Sequence, residues 1–137
     1  MAHLTVSLVT PEKDIVKGDV DQVTAPSVMG EVGILPDHLP LLADMSEGAV
    51  GLFRGGQVEL YAVSGGFVEV DHNHVTILAE TAEHGRNIDI KRSENAFKSA
   101  QGKLRTLDFQ SPEYAEQEAR VRRAQVRLDV ARASQAH

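Results

Sequence analysis

His72 and His74 stand two residues apart, the spacing that sets two imidazoles on one face of a strand and could begin a metal site. No third ligand stands out nearby, and Asp71-His72-Asn73-His74 reads instead as a polar hairpin tip. Ser64-Gly65-Gly66 sets a hydroxyl beside two glycines, but the Gly-x-Ser-x-Gly frame of a nucleophile elbow is missing and no Asp–His pairing accompanies it. Neither Gly-x-x-x-x-Gly-Lys-Ser/Thr nor Gly-x-Gly-x-x-Gly occurs, which removes the P-loop and the dinucleotide-binding turn. Without cysteine there is no disulfide, thiolate zinc site, iron–sulfur cluster or cysteine nucleophile. No catalytic constellation and no metal site are expected. The chemistry that remains is charge. Arg120, Arg122, Arg123, Arg127 and Arg132 crowd into thirteen residues, opposed by Asp129 alone. Such a run is a solvated helix face or a basic surface for an acidic protein or an anionic ligand. Nucleic acid is the weaker reading, because no aromatic lies among these arginines for stacking and the whole chain carries −6.

The elements that would position these residues divide the chain in two. Residues 1–87 carry four basic and thirteen acidic side chains; residues 88–137 carry ten and seven. Ten of eleven glycines and four of five prolines also precede residue 88, so the boundary falls near Gly85-Arg86-Asn87. In front, Leu4, Val6 and Leu8 alternate with polar residues, as do Val58, Leu60 and Ala62 with Glu59 and Tyr61. Phe67–Val70 and Val75–Leu78 are further strand candidates. Turn signals at Pro11–Asp14, Gly18-Asp19, Gly55-Gly56, Gly65-Gly66 and Asp71–Asn73 recur at the spacing of an antiparallel sandwich. Pro36 and Pro40 interrupt Gly30–Leu42, which is expected to be a long connection tucking Leu39, Leu41 and Leu42 under the sandwich, or an apolar docking surface.

Behind the boundary, helix-favouring residues run from Ile88 to Leu107, with Phe97, Ala100, Leu104 and Leu107 at three-and-four spacing and Asn87 or Asp89 as N-cap. Ser111-Pro112-Glu113 restarts a helix expected to reach Ser134, with Ala115, Ala119, Val126, Val130 and Ala133 along one stripe. The fold class is therefore α+β: an antiparallel β-sandwich over 1–87 and an antiparallel two-helix hairpin over 88–137. Alanines bury little area, so the hairpin is expected to be marginal, with Glu116–Arg120 and Glu118–Arg122 supporting its second helix locally. No run is long and apolar enough to span a membrane, and Met1-Ala2-His3-Leu4 lacks the basic and apolar regions of a signal peptide, which suggests a soluble intracellular chain.

Val32-Gly33-Ile34-Leu35-Pro36-Asp37-His38-Leu39-Pro40-Leu41-Leu42 resembles the Gly-Ile-Leu-Pro-Gly-His-Ala-Pro-Leu-Leu pattern of the epsilon subunit of F-type ATP synthases. Gly65–Val70 followed by Val75–Ala79 is similar to that family's second signature, and Val6–Glu12 fits its opening. The resemblance implies a non-catalytic subunit, with no required cofactor, on the cytoplasmic face of the bacterial plasma membrane. Its sandwich would attach to the gamma subunit and the c-subunit ring through Ile34, Leu35, Pro36, His38, Leu41 and Leu42, helping to couple proton flow to rotation. Its hairpin would block ATP hydrolysis when extended, Arg120, Arg122, Arg123 and Arg127 meeting an acidic stretch of the catalytic beta subunit beside alpha. Ile88-Asp89-Ile90-Lys91-Arg92-Ser93 further resembles an Ile/Leu-Asp-x-x-Arg-Ala motif through which some bacterial members bind ATP as a regulatory ligand. That implies ATP contacts by Ile88, Asp89, Arg92 and Arg122, with Asp89 alternatively serving only as a helix cap. Ser93 stands for the usual alanine, and Ser99 and Val126 stand where basic residues would be expected, so weaker ATP binding is implied.

Overall fold

The computed structural model describes residues 3–136; Met1 and Ala2, the start of the stretch read for a signal peptide, and His137 lie outside them. The chain divides into two compact units at His84/Gly85, three residues before the boundary drawn from composition.

The first unit is built from β1 (Leu4–Val9), β2 (Asp14–Val20), β3 (Gln22–Ser27), β4 (Gly30–Ile34), β5 (Leu41–Met45), β6 (Gly48–Arg54), β7 (Gln57–Val63), β8 (Gly66–Asp71), β9 (His74–Ala79) and β10 (Ala82–His84). They form one ladder in the order β10-β7-β6-β3-β5-β8-β9-β1-β2, with β4 on β3, and it folds over a shared core as a β-sandwich. Every pairing is antiparallel except β1 with β9, which run parallel, a departure from the fully antiparallel expectation. Pro26, which has no N–H to donate, falls between the stretch of β3 paired with β6 (Gln22–Thr24) and the residue paired with β5 (Ser27).

Strict alternation places Leu4, Val6 and Leu8 inward, facing Val23, Ala25, Val50, Leu52, Val68, Val70, Val75 and Ile77 in one core. Each such aliphatic side chain stabilises the fold by roughly 1.5–3 kcal/mol. Two expectations change. In β7 the deepest residues are Tyr61 and Val63, while Val58 is exposed, because the strand pairs along β6 in the register that turns Tyr61 inward. Gly18-Asp19 is no turn: both lie within β2, paired with Val6 and Thr5.

The segment 30–42 is two strands and a turn. Ile34, at the end of β4, is fully buried, and Leu41 packs on the core's edge, but Leu39 and Leu42 are 79% and 69% exposed. The expectation that Leu39 and Leu42 tuck under the sandwich is therefore corrected. The short β5 alternates about Leu41, Ala43 and Met45, which leaves Leu42 on the outer face.

The second unit opens with a 3-10 turn (Gly85–Asn87), followed by α1 (Ile90–Leu104) and α2 (Pro112–Gln135). Asp89 is the N-cap of α1, accepting from the Arg92 N–H at 3.0 Å, so Ile88 precedes the helix rather than starting it. α1 stops short of Leu107 because its last turn tightens: Thr106 and Leu107 donate to the carbonyls of Lys103 and Leu104, and Thr106 Oγ1 also bonds the Lys103 carbonyl at 2.7 Å. Ser111 caps α2 through Tyr114 N–H at 3.3 Å, with Pro112 in the first position as expected.

The two helices run antiparallel. Gln117 Nε2 donates to the Ala100 carbonyl at 3.0 Å, and Arg132 pairs with Glu94 near the other end. The packed positions are Ser93, Phe97, Ala100 and Leu104 on α1, and Gln117, Val121, Ala124, Leu128 and Ala131 on α2. Both sets follow the alternating three-and-four spacing of a coiled-coil seam. Of the expected stripe of α2, Val130 is buried and Ala119 and Val126 are half-buried, while Ala115 and Ala133 are exposed. A buried glutamine, not another alanine, fixes the phase of the seam.

Candidate functional site

Three groups of residues carry the chemistry of this chain. The first is the outer face of β5, β8 and β9. Register sets Leu42 beside Glu69 and Thr76 in one row, and Asp44 beside Phe67 and Leu78 in the next. Leu42, Phe67 and Leu78 are all exposed and line a groove of about 270 Å³ with Glu69 and Thr76. Three large apolar side chains in one groove form a contiguous apolar patch rather than scattered surface residues. Of these, only Leu42 was expected from the sequence. The signal for the others lies in Phe67-Val68 and Ile77-Leu78: where two large apolar residues are adjacent in a strand, one of them must face outward.

The second group is the end of the sandwich where the 35–40 turn meets the β8–β9 hairpin tip. Leu35 and Leu39 are exposed here, Pro36 and His38 are half-buried, and Ile34 is withdrawn into the core. Of the residues expected to dock, Leu35, Pro36, His38 and Leu42 therefore stand at the surface, Leu41 partly, and Ile34 does not. Asp37 (φ 68°) and Asn73 (φ 62°) both adopt the left-handed conformation. The Asp37 N–H donates to Asn73 Oδ1 at 2.6 Å, and Asn73 Nδ2 donates to Asp37 Oδ1 at 3.3 Å. The Asn73 carbonyl accepts from Thr5 N–H at 2.8 Å, which ties the hairpin tip to β1. His72 lies on the tip with Nδ1 2.6 Å from Asp71 Oδ1, and the His74 ring faces the His72 carbonyl at 3.3 Å. Among the described residues no three His, Cys, Asp or Glu side chains could hold a metal ion together. Ser64 Oγ pairs with Thr81 Oγ1 at 2.5 Å.

The third group is the hairpin. Asp89 Oδ1 is engaged by the Arg92 N–H, and the Ile88 carbonyl accepts from Gln135 Nε2 at 2.6 Å. Gln135 Nε2 also donates to the Gly85 carbonyl at 3.0 Å. Gly85 lies so close to Ser134 and Val130 that a Cβ there would overlap both. Ile88, Asp89 and Arg92 thus sit at the end of the hairpin that holds Arg132 and Gln135. Arg122, ten residues before Arg132, is roughly 15 Å away along α2. Arg120 and Arg122 form exposed i,i+4 pairs with Glu116 and Glu118, at 3.6 and 3.5 Å. Such pairs contribute about 0.3–0.5 kcal/mol and exchange partners at little cost. Arg123 is exposed and Arg127 half-buried.

One polar cluster is structural. Glu59 on β7 accepts from Tyr61 Oη at 3.2 Å and pairs with Arg54 at 3.3 Å, while the His84 ring meets Tyr61 edge-on at 4.9 Å. Burial, with the Glu59 carboxylate adding to it, pushes the Tyr61 phenol up to about 12. Among the described residues no helix is long and apolar enough to cross a membrane.

With this geometry in hand, comparison with known proteins is informative. The profile of the ATP synthase delta/epsilon chain β-sandwich domain matches residues 3–85. The ATP synthase epsilon chain of Halalkalibacterium halodurans is 47% identical over 131 residues, spanning 96% of this chain and 98% of that one. That of Herpetosiphon aurantiacus is 46% identical over 130 residues, 94% of each. The fold is shared with a chain of the Euglena gracilis mitochondrial ATP synthase OSCP/F1/c-ring structure, at TM-score 0.73 and 24% identity over 100% of this chain and 83% of that one. It is also shared with one from the Tetrahymena thermophila mitochondrial ATP synthase central stalk and c-ring, at TM-score 0.65 and 20% identity over 93% and 96%.

Proposed function

The chain belongs to the ATP synthase epsilon family, and from that premise we propose that it is a non-catalytic subunit of the central stalk, the sandwich its anchor and the hairpin its regulator. The observation that carries the anchor is the pairing of a closed aliphatic core with large apolar side chains left outside it: Leu35, Leu39, Leu42, Phe67 and Leu78. Their partners are the gamma subunit and the c-subunit ring. Burial on docking gives each side chain a favourable contribution of up to about 1.5–3 kcal/mol, part of it offset by the cost of association. The mitochondrial chains that share this fold come from an OSCP/F1/c-ring structure and a central stalk/c-ring structure, which supports the same seat for this one. The seat lies on the cytoplasmic face of the bacterial plasma membrane, where the subunit helps couple proton flow to ATP synthesis.

The hairpin inhibits ATP hydrolysis when its helices extend. Arg120 and Arg122 then exchange weak intrahelical pairs, and with Arg123 and Arg127 meet an acidic surface of the catalytic beta subunit beside alpha. ATP opposes this by binding the folded hairpin at Ile88, Asp89, Arg92 and Arg122. A ligand that binds only the folded state stabilises it by RT ln(1 + [L]/Kd), about 2.7 kcal/mol at a hundredfold excess over Kd. In the folded hairpin Asp89 Oδ1 is already engaged by the Arg92 N–H, so ATP would share that carboxylate with the helix cap.

Hydrolysis by the catalytic complex stripped of this subunit tests the reading when full-length chain, or a version ending at Asn87, is added back. Full-length protein is expected to bind and inhibit, and the truncation to bind without inhibiting. Failure of both to bind overturns the assignment. Calorimetry with millimolar ATP tests the nucleotide separately: no heat and unchanged hydrogen exchange in the hairpin remove ATP and leave the anchor standing.

A further inference from the structure

We infer that Asn73 is a positioning residue, which with Asp37 clasps the 35–40 turn into the shape that presents Leu35 and Leu39 for docking; this rests on the docking reading above. The turn contains two prolines and two exposed leucines, and the hydrogen bonds within it are local ones, from His38 N–H to the Leu35 carbonyl at 3.2 Å and between His38 Nδ1 and the Leu39 carbonyl at 2.7 Å. What joins it to the body of the sandwich is the reciprocal pair with Asn73. Asn73 is itself fixed, because its carbonyl accepts from Thr5 in β1 and its neighbours Asp71 and His74 pair across the hairpin. The chain of restraint therefore runs from the sheet, through Asn73, to Asp37, and so to the leucines on either side.

Asp37 occupies the place that the resembling family pattern gives to glycine. A left-handed φ is natural for glycine and unfavourable for aspartate, though Asp and Asn bear it better than other residues. At this position the aspartate side chain returns something glycine cannot: an acceptor for Asn73 Nδ2. Asn73, also left-handed, supplies both the acceptor and the donor of the exchange. Two residues in an uncommon conformation that bond each other hold one turn geometry, and a held turn loses less freedom when it docks.

The test uses full-length chain and the ATP synthase catalytic complex stripped of this subunit. Asn73→Gly keeps the left-handed backbone accessible while removing both bonds of the clasp; Asp37→Gly removes the bond from Asn73 Nδ2 and leaves the residue 37 N–H bonded to Asn73 Oδ1. Asn73→Gly is expected to weaken binding about fivefold and to speed hydrogen exchange at the amide of residue 37, and Asp37→Gly to do less of both. The double variant is expected to be no weaker than Asn73→Gly, which already removes both bonds. Asp37→Asn, which keeps the acceptor, is expected to bind like the parent. Unchanged affinity in Asn73→Gly, even with a lowered melting temperature, overturns the inference and leaves the pair a purely structural bond; so does a double variant clearly weaker than Asn73→Gly. Leu39→Asp separates the two readings. If it weakens binding while Asn73→Gly does not, only the clasp fails; if it binds like the parent, docking through this turn fails and the clasp with it.

Discussion

The sandwich and the hairpin use apolar residues in opposite ways. In the sandwich, strands contribute aliphatic side chains whose exposure is close to zero, from Leu4 and Leu8 to Val75 and Ile77. In the hairpin, the seam mixes the small or polar Ser93, Ala100, Gln117, Ala124 and Ala131 with the larger Phe97, Leu104, Val121 and Leu128, of which only Leu128 is buried, and the Gln117 to Ala100 bond adds to its definition. Area buried per residue separates an element built to hold its shape from one that a modest change in free energy can alter.

The largest test of that difference is Leu8→Ala. It is expected to cost the sandwich about 3 kcal/mol, seen in denaturant unfolding, while amide exchange within α1 and α2 stays unchanged. A matching loss of protection in the helices would break the comparison. Alkali probes the sandwich differently. The Tyr61 phenol is held near 12, above its ordinary value of about 10, so its contribution is complete below pH 10 and is lost as pH rises through 12. The loss, on the order of 2 kcal/mol, should be measurable as falling unfolding free energy between those pH values and should be reduced in Tyr61→Phe.

For the hairpin, Gly85→Ala drives a methyl into Ser134 and Val130 and is expected to cost about 2 kcal/mol. The measurement is hydrogen exchange at the C-terminal turn of α2, with the sandwich strands as internal control. Ser111→Ala removes the N-cap of α2 and is the smallest change, about 1 kcal/mol. Because so little else fixes the helix start, the loss should appear as fraying over Pro112–Gln117 in chemical shifts. Absence of fraying would mean that the seam, rather than the cap, defines where the helix begins.

What could be read from the sequence follows the same division. Alternation in β1 and the glycine pair between β6 and β7 announce themselves, because a two-residue period and a tight turn each require particular residue types. The parallel pairing of β1 with β9 does not, since register between strands far apart leaves no local trace. Gly18 looked like punctuation and is part of an edge strand. The phase of α2 was missed because Gln117 counts as polar in any hydropathy pattern, although its amide buries well once it donates to Ala100. Leu39 and Leu42 were drawn toward the core by their type alone; their exposure follows from a turn and from a strand only five residues long. Of the candidate residues, the 34–42 segment and the arginines can be picked out from the sequence. The exposure of Phe67 and Leu78 and the bonds of Asn73 cannot, because they depend on neighbours from other strands.

The parallel ladder between β1 and β9 carries a consequence for how the molecule is made. Thr5 and His74 are partners across it, though 69 residues separate them in the chain. One edge of β1 pairs with the nearby β2, but its other edge waits until nearly the whole sandwich is present, and until then the core around Leu4, Val6 and Leu8 is incomplete. Contacts of such long separation slow folding, whereas the hairpin, whose partners lie at most about fifty residues apart, forms on more local terms. The part proposed to move is thus also the part with the more local contacts, and closure of the sandwich depends on its most distant strands.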